Sequence, residues 1–250
     1  TSTGGVHSSL DHLFYLTKIA KQYYRHLCDL IVEAIYGLSA TRKEVMKHYK
    51  IINREVVNRY FEEGRSVVLM SAHYNNWEYM VLSIDFQLRH HGIGVGKPLN
   101  NKGFAKYLDA ARIRYGDEVV DQYNVRETMA YYDRYHVPCA YMMLSDQTPS
   151  NPRKSFWTKF LNQDTPFLYG SEHFARKYNF PVLYYRVIKK KRGYYEVEFS
   201  EICSNPQELP EGGIIMEYAH RLERLIQFEP QYWLWTHRRW KLKKPQEIKN

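Results

Sequence analysis

The chain has 250 residues, 44% of them hydrophobic, which is enough to bury one substantial core. Lysine and arginine number 36 against 27 acidic residues, and the net charge of +9 favours anionic ligands, an acidic carrier protein, a membrane surface or nucleic acid as partners. The three cysteines are widely separated, and no run of about 20 apolar residues occurs in the sequence. A disulfide framework, a zinc site and a membrane-spanning helix are therefore not predicted.

The first predicted element is a helix from Leu16 to Leu38, in which apolar residues recur at helical spacing. Residues 1–15 begin with the small, polar run TSTGGVHSS and are predicted to be a poorly ordered leader or a remnant left by cloning. Residues 16–250 show no internal repeat and no break in composition. They are therefore predicted to form one domain.

A buried strand and a helix enclose the stretch SAHYNNWE, residues 71–78. Val67 to Met70 is apolar, contains β-branched valine and is bounded by Gly64 before and polar residues after, which favours a buried strand. Apolar residues recur at helical spacing from Trp77 to Leu88. Asn75 and Asn76 between them are both good N-cap residues. The sequence thus predicts a strand-to-helix turn at this position.

His73 and Glu78 on this turn are candidates for a general-base pair. Five residues of continuous helix rotate by about 140°, which would point the two side chains apart, so the predicted turn is what permits a contact. A carboxylate can fix the tautomer of an imidazole while the other ring nitrogen takes a proton from a hydroxyl. A histidine and a glutamate that merely cap a helix are the alternative interpretation.

The later elements alternate between helix and strand. Residues 90–103 are rich in glycine and are predicted to be a turn. Further helices are predicted at residues 41–63, 104–115, 125–136, 171–178 and 214–228, and further strands at residues 118–120, 137–144 and 181–188, the last with a hairpin partner after KKKRG. This alternation predicts an α/β fold, a single domain with a central, mostly parallel sheet flanked by helices.

Polar residues follow two of the predicted strands. His73 comes after the strand at residues 67–70, and Asp146 and Gln147 come after the strand at residues 137–144. In open α/β sheets the ligand crevice lies beyond the carboxyl ends of the strands. The sequence therefore predicts that these two polar clusters face one crevice.

The segments HYNNWE, SDQTP and PQYWLWTHRRWK together resemble the lipid A biosynthesis late acyltransferases, a bacterial branch of the lysophospholipid acyltransferase superfamily. The blocks of that family are, in order, H-x-G-N-W-E, R-x-G, D-Q-x-P, an F-F-G-like segment and W-x-H-R-R. The resemblance covers roughly Lys21 to Lys244, and the order and spacing of the blocks make it specific. It implies the acyltransferase fold of that superfamily.

The resemblance implies a role for each matching residue. His73 falls at the catalytic base of the family, Glu78 at its charge-relay acid, and Arg114 at an arginine that helps to bind the donor or the developing oxyanion. Phe160 falls beside the acyl chain, and the other residues predicted to bind substrate are Asn76, Arg126, Asp146 and Gln147. The C-terminal block is interpreted mainly as structural closure with a phosphate contact, and it contains Trp235, His237, Arg238 and Arg239.

The sequence departs from the family pattern at three places. Asn75 stands where the family has glycine, a position expected to need a positive φ, which asparagine tolerates well. FLN replaces F-F-G, which leaves the shape of the acyl pocket open. The hydrophobic N-terminal anchor of the family is absent from this sequence, and truncation is the interpretation.

The activity implied by the resemblance is that of a membrane-associated O-acyltransferase at the cytoplasmic face of the bacterial inner membrane. It would move a fatty acyl chain from acyl carrier protein or acyl-CoA to a hydroxyl of a lipid A precursor or related glycolipid. No cofactor and no metal are predicted. Direct transfer is expected, because Cys139 lies in a predicted buried strand and Ser71 lacks the G-x-S-x-G elbow of a nucleophile.

Two alternatives remain open at this stage. The acceptor could be a lysophospholipid or an aminoacyl lipid, since the catalytic pair is indifferent to that choice. A basic chain with 23 tyrosines could also be a non-catalytic module that binds anionic membranes or nucleic acid. Nucleic acid is not among the predicted partners, because no RNP-like, helix-turn-helix or zinc pattern accompanies the charge.

Overall fold

The computed structural model describes residues 4–97 and 102–246. The helices are α1 (Gly4–Gly37), α2 (Arg42–His48), α3 (Glu55–Glu62), α4 (Glu78–Val81), α5 (Ile84–Gln87), α6 (Lys102–Arg112), α7 (Val125–Arg134), α8 (Gly170–Tyr178) and α9 (Gly213–Phe228). The strands are β1 (Tyr49–Ile51), β2 (Val67–Ser71), β3 (His91–Gly96), β4 (Glu118–Asp121), β5 (Cys139–Leu144), β6 (Ser155–Phe160), β7 (Gln163–Leu168), β8 (Val182–Lys191) and β9 (Tyr194–Cys203).

Seven of these strands form one sheet in the order β1-β9-β8-β2-β5-β3-β4. Only β8 and β9 are antiparallel neighbours in this sheet, and the other neighbouring pairs are parallel. Strands β6 and β7 form a separate antiparallel hairpin. The predicted α/β fold, with a mostly parallel sheet flanked by helices, is therefore confirmed.

Alternate residues of the central strand β2 face two separate cores. Val68 and Met70 are fully buried against side chains from α7, α8 and α9. Val67 and Leu69 are equally buried against side chains from α2, α3, α4 and α5. A strand covered on both faces reads as a continuous apolar run, which is why VVLM predicted a buried strand correctly.

The first helices differ from the prediction. Helix α1 begins at Gly4, before the predicted Leu16, so residues 4–15 continue the same helix. That residues 1–15 are a leader separate from the domain stays a prediction. The helix predicted at residues 41–63 is interrupted by β1, because Tyr49–Ile51 pairs in parallel with β9 and this pairing overrides the local helical pattern.

Two other local predictions are corrected in the elements that follow residues 71–78. The helix predicted from Trp77 to Leu88 is two short helices, α4 and α5, separated at Leu82 and Ser83. Residues 91–96 were predicted to be a turn and form strand β3 instead. A Cβ atom on Gly92 would collide with Asp117 and Ile84, so glycine here permits close packing rather than a turn.

Helix α1 rests on the domain by one face only. Tyr23, His26, Asp29 and Glu33 point inward and are each less than 10% exposed. The helix packs against the short helical turn Pro230–Tyr232 of the C-terminal block. Within residues 4–97 and 102–246, no helix combines the length and apolar character needed to cross a membrane.

Candidate active site

The carboxyl ends of β2 and β5 lie side by side and bring the two predicted polar clusters together. Ser71 and Leu144, the last residues of the two strands, are partners in the sheet. The backbone N–H of Ser145 then donates to the carbonyl oxygen of Ser71 at 3.1 Å. The loops that follow these strands carry His73 on one side and Asp146 and Gln147 on the other, as predicted from the order of elements.

His73 is held between Asp146 and Gln147. Its Nδ1 lies 2.7 Å from Oδ1 of Asp146, and its Nε2 lies 3.2 Å from the side-chain nitrogen of Gln147. An ionised carboxylate can only accept, so Nδ1 carries the proton that it donates to Asp146. The amide of Gln147 donates to Nε2, so Nε2 is the ring nitrogen that carries the basic lone pair.

Asp146 is an ionised carboxylate in a buried position. It is only 3% exposed. Its Oδ2 accepts from the backbone N–H of His73 at 3.1 Å and from the indole N–H of Trp233 at 2.9 Å, in addition to the ring contact on Oδ1. Burial alone would raise the pKa of Asp146, but the charge and hydrogen bonds of His73 and the Trp233 bond outweigh it and lower that pKa.

The turn that carries His73 is fixed by two asparagines. Asn75 adopts a φ of +54°, which confirms the prediction of a positive φ at this position. Its side-chain nitrogen donates to the carbonyl oxygen of Val187 at 2.7 Å, and its backbone N–H donates to that of Tyr232 at 3.0 Å. Asn76 accepts at Oδ1 from the backbone N–H of Tyr79 at 3.0 Å, as an N-cap side chain does.

The predicted contact between His73 and Glu78 is not formed, and this prediction is corrected. Glu78 instead accepts from Arg112, whose Nη2 lies 2.8 and 2.9 Å from the two carboxylate oxygens and whose Nε lies 3.1 Å from Oε2. Trp77 lies between the two predicted partners. Its ring packs edge-on against His73 with a centroid distance of 5.0 Å, and its N–H donates to Glu78 at 3.1 Å. Glu78 therefore supports Trp77, and its own part in catalysis stays a prediction.

The structure replaces Arg114 by Arg112 as the arginine beside the site. Arg114 donates to the carbonyl oxygens of Gly37, Leu38 and Ala40 at 2.6 to 3.1 Å, so it satisfies the C-terminal end of α1. These bonds place the guanidinium of Arg114 at the end of α1, and its predicted contact with donor or oxyanion stays a prediction. Arg112 is 17% exposed at the side chain and neutralises Glu78.

Two other residues predicted to bind substrate are buried. Asn76 is 3% exposed, and its amide is committed to Tyr79 and to Glu33 of α1. Phe160 is completely buried and packs edge-on against Phe167 and Trp233 rather than beside an open channel. Asn76 and Phe160 are thus enclosed by the fold, and their predicted contact with substrate stays a prediction.

Arg126 is exposed in the first turn of α7, which follows the edge strand β4. It forms no hydrogen bond or ion pair among the described residues, and β4 is separated from β5 by β3 in the sheet. The structure therefore does not bring Arg126 to His73, and its role in binding an anionic substrate stays a prediction.

The C-terminal block closes the site, as the sequence interpretation had it, but its key residue was missed. Leu234 donates its backbone N–H to the carbonyl oxygen of His73 at 3.1 Å, and Trp233 donates to Asp146. His237 accepts from the backbone N–H of Thr148 at 3.0 Å. Trp233 was overlooked because the family block begins at Trp235, although the adjacent run YWLW offered a second tryptophan as a signal.

The rest of the block packs inward. Arg239 is 2% exposed, donates to the carbonyl oxygen of Pro166 at 2.6 Å and lies over the ring of Phe167. Burial lowers the pKa of Arg239 to about 10. Trp235 and Arg238 are exposed, and a phosphate contact by this block stays a prediction.

Neither candidate nucleophile near the site is placed to attack an acyl group. The hydroxyl of Ser71 is buried and donates to the carbonyl oxygen of Tyr185 at 2.8 Å. Cys139 is fully buried, and this burial raises the pKa of its thiol to about 12. The described residues also contain no group of three or more His, Cys, Asp or Glu that could hold a metal ion.

One comparison with known proteins identifies a family for this chain. A search of curated proteins returned no match. The family model of the bacterial lipid A biosynthesis acyltransferases matches residues 16–242, which is most of the chain and includes both strand-end clusters and the C-terminal block. The resemblance noted in the sequence is thereby confirmed, and the chain belongs to the bacterial lipid A biosynthesis acyltransferase family.

Proposed function

We propose that this acyltransferase moves a fatty acyl chain from an acyl thioester to a hydroxyl of a lipid A precursor or related glycolipid, with His73 as general base. The observation that carries this proposal is the contact of Nδ1 of His73 with Asp146 at 2.7 Å, which puts the ring proton on Nδ1 and leaves the lone pair on Nε2. The amide of Gln147 donates to that lone pair and has to give up this bond when the acceptor hydroxyl binds. The side chain of His73 is 17% exposed, so an acceptor can approach Nε2 from solvent.

The reaction needs no covalent intermediate. Nε2 of His73 takes the proton of the acceptor hydroxyl while the hydroxyl oxygen attacks the thioester carbonyl carbon. The tetrahedral intermediate then expels the thiolate as the C–S bond breaks, and the imidazolium returns the proton to the sulfur. Asp146 holds the ring and stabilises its charged form, which typically contributes about 10² to 10⁴ in rate together with the base.

Gln147 is proposed to lie beside the acceptor hydroxyl and the thioester carbonyl. Its amide lies 3.2 Å from Nε2, where the acceptor hydroxyl has to bind. We place the hydroxyl at this nitrogen and the Gln147 amide beside it, where an N–H can donate to the developing oxyanion. A preorganised donor of this kind is worth about 10² to 10³ in rate.

The acyl donor in this proposal is acyl carrier protein or acyl-CoA. Acyl carrier protein and CoA are both anionic, and the net charge of +9 favours the approach of either. No further cofactor is proposed.

Helix α1 supports a location at the cytoplasmic face of the bacterial inner membrane. Four apolar side chains on its outward face, those of Leu13, Tyr24, Ile31 and Ile35, are 55 to 63% exposed. Lys21 and Arg25 lie on the same side of the helix, so this surface suits an anionic lipid layer. An amphipathic helix of this kind lies in the interface rather than across it.

The test is acyl transfer from radiolabelled acyl carrier protein and acyl-CoA to lipid A precursors, lysophospholipids and aminoacyl lipids. His73→Ala is compared with His220→Ala, a matched change at an exposed histidine of α9. We expect label in the lipid A precursor, lost with His73→Ala and kept with His220→Ala.

Other outcomes would contradict separate parts of the proposal. Transfer that survives His73→Ala would exclude His73 as the base. Label only in a lysophospholipid or an aminoacyl lipid would replace the acceptor. Absence of transfer, together with salt-sensitive binding of random oligonucleotides, would favour a nucleic-acid-binding module instead.

A further inference from the structure

A buried acid on α1 contacts the turn at residues 73–78 that carries His73, here named the catalytic turn. Glu33 lies in the last turn of α1 and is 8% exposed. Its Oε2 accepts from the side-chain nitrogen of Asn76 at 2.7 Å, and the hydroxyl of Tyr195 lies 3.0 and 2.9 Å from its two oxygens. No ion pair satisfies this carboxylate among the described residues. Burial raises the pKa of Glu33, and the bonds from Asn76 and Tyr195 oppose this effect.

Asn76 has only one orientation that satisfies both of its contacts. Its Oδ1 accepts from the backbone N–H of Tyr79, so its NH₂ group has to face Glu33. A second contact joins the same two segments, because the hydroxyl of Tyr79 donates to the carbonyl oxygen of Glu33 at 3.1 Å. Glu33 thus contacts Asn76 before α4 with its side chain and Tyr79 within α4 with its carbonyl oxygen.

The start of α4 in turn positions the base. Trp77 lies between Asn76 and Glu78, and its ring packs against the ring of His73. A shift of Asn76 would therefore move Trp77 and the ring of the base with it. We propose that Glu33 is a positioning residue that holds the catalytic turn through Asn76, so that this one contact from α1, rather than the seating of the whole helix, sets the orientation of His73. This inference rests on the proposed acyl transfer only for its kinetic test.

Two variants of Glu33 and one of its partner Tyr195 separate geometry from charge. Glu33→Ala removes the acceptor of Asn76. Glu33→Gln keeps an oxygen for Asn76, and its amide can donate to Tyr195, whose hydroxyl both donates and accepts. Tyr195→Phe removes the other partner of Glu33 without touching the turn. We expect Glu33→Ala to loosen the catalytic turn strongly. Glu33→Gln and Tyr195→Phe should have little effect, because both keep the hydrogen bond to Asn76.

Asp29 is the matched control on the same face of α1. It is 9% exposed and holds α1 to Lys189 and Arg192 near the tip of the β8–β9 hairpin, at 3.1 and 2.7 Å, rather than to the catalytic turn. Asp29→Ala therefore weakens the seating of α1 without removing any contact to Asn76. It reports how much of an effect is general loosening of the helix.

The first measurement is hydrogen–deuterium exchange of the backbone amides at residues 75–80, which needs no substrate. We expect Glu33→Ala to speed exchange there by about tenfold, because the hydrogen bond from Tyr79 N–H to the Asn76 side chain loses its support. Glu33→Gln and the control Asp29→Ala should each change the exchange rate by less than about twofold. Unchanged exchange in Glu33→Ala, or an equal increase in Asp29→Ala, would overturn the proposal.

The second measurement is the split between kcat and KM in acyl transfer. We expect Glu33→Ala to lower kcat by about ten- to a hundredfold with little change in KM, and Glu33→Gln to restore kcat. Because Glu33 acts through Asn76, the double variant Glu33→Ala with Asn76→Ala should lose no more than Asn76→Ala alone. A fully additive loss would refute the coupling. If the wild-type chain transferred no acyl group, the proposed function would fail, and the exchange experiment would still decide the positioning role.

Discussion

Replacing Asp146 with asparagine tests the pairing by which His73 is proposed to act as a base. The two oxygens of Asp146 have different partners, since Oδ1 faces Nδ1 of His73 and Oδ2 accepts from the backbone N–H of His73 and from Trp233. Asparagine would keep its oxygen at the position with two donors and turn its NH₂ group toward Nδ1. Nδ1 would then have to accept, and the ring proton would move to Nε2.

A proton on Nε2 removes the general base without removing the ring. We expect kcat to fall by about 10² to 10⁴, which corresponds to about 2.7 to 5.4 kcal/mol of transition-state stabilisation. The assay is single-turnover acyl transfer at saturating donor and acceptor, so that binding does not mask the chemical step. The near-ultraviolet circular dichroism spectrum of Asp146→Asn, and of the control variant Glu78→Gln, checks that each folds.

Glu78→Gln is the matched control, because the sequence had assigned the pairing to that residue. Glutamine keeps an oxygen for Arg112 and for the N–H of Trp77, and nothing on His73 changes. We expect less than about a tenfold loss of kcat. If Asp146→Asn retained most of kcat while Glu78→Gln lost it, the tautomer argument would be refuted and the original pairing restored.

Two further predictions concern stability. Arg114→Ala should lower the free energy of unfolding by about 1 kcal/mol, because this exposed side chain satisfies carbonyl groups at the end of α1. The loss of these contacts should leave kcat unchanged. Urea denaturation measures the change in stability, and parallel transfer assays measure kcat. Burial, aided by the neighbouring Asp85, raises the pKa of Asp117 from its ordinary 3.8 to about 8. The folded state therefore holds a proton that the unfolded chain has lost, and the free energy of unfolding should fall as pH rises from about 4 to 8. Asp117→Asn should flatten this dependence, and an unchanged slope in urea titrations at pH 5 and pH 8.5 would contradict the assignment.

The sequence alone predicted the features that depend on local pattern. The apolar run VVLM is buried on both faces, and that continuous pattern identified β2 without any knowledge of its neighbours. The order of strands and helices then placed His73 and Asp146 at neighbouring strand ends, because parallel strands present their carboxyl ends at one edge. The positive φ of Asn75 was expected because the resembled family has glycine at this position, and asparagine tolerates that conformation well.

The partners of each charged side chain were decided only by the tertiary structure. His73 and Glu78 are five residues apart in sequence, yet Asp146, more than seventy residues away, reaches the ring first because β2 and β5 are adjacent. The ring of Trp77 fills the space between His73 and Glu78, and α6 supplies Arg112 as the partner of Glu78. Sequence spacing fixes which side chains are near a turn, whereas hydrogen-bond partners depend on which distant segment packs there, and that is a property of the whole fold.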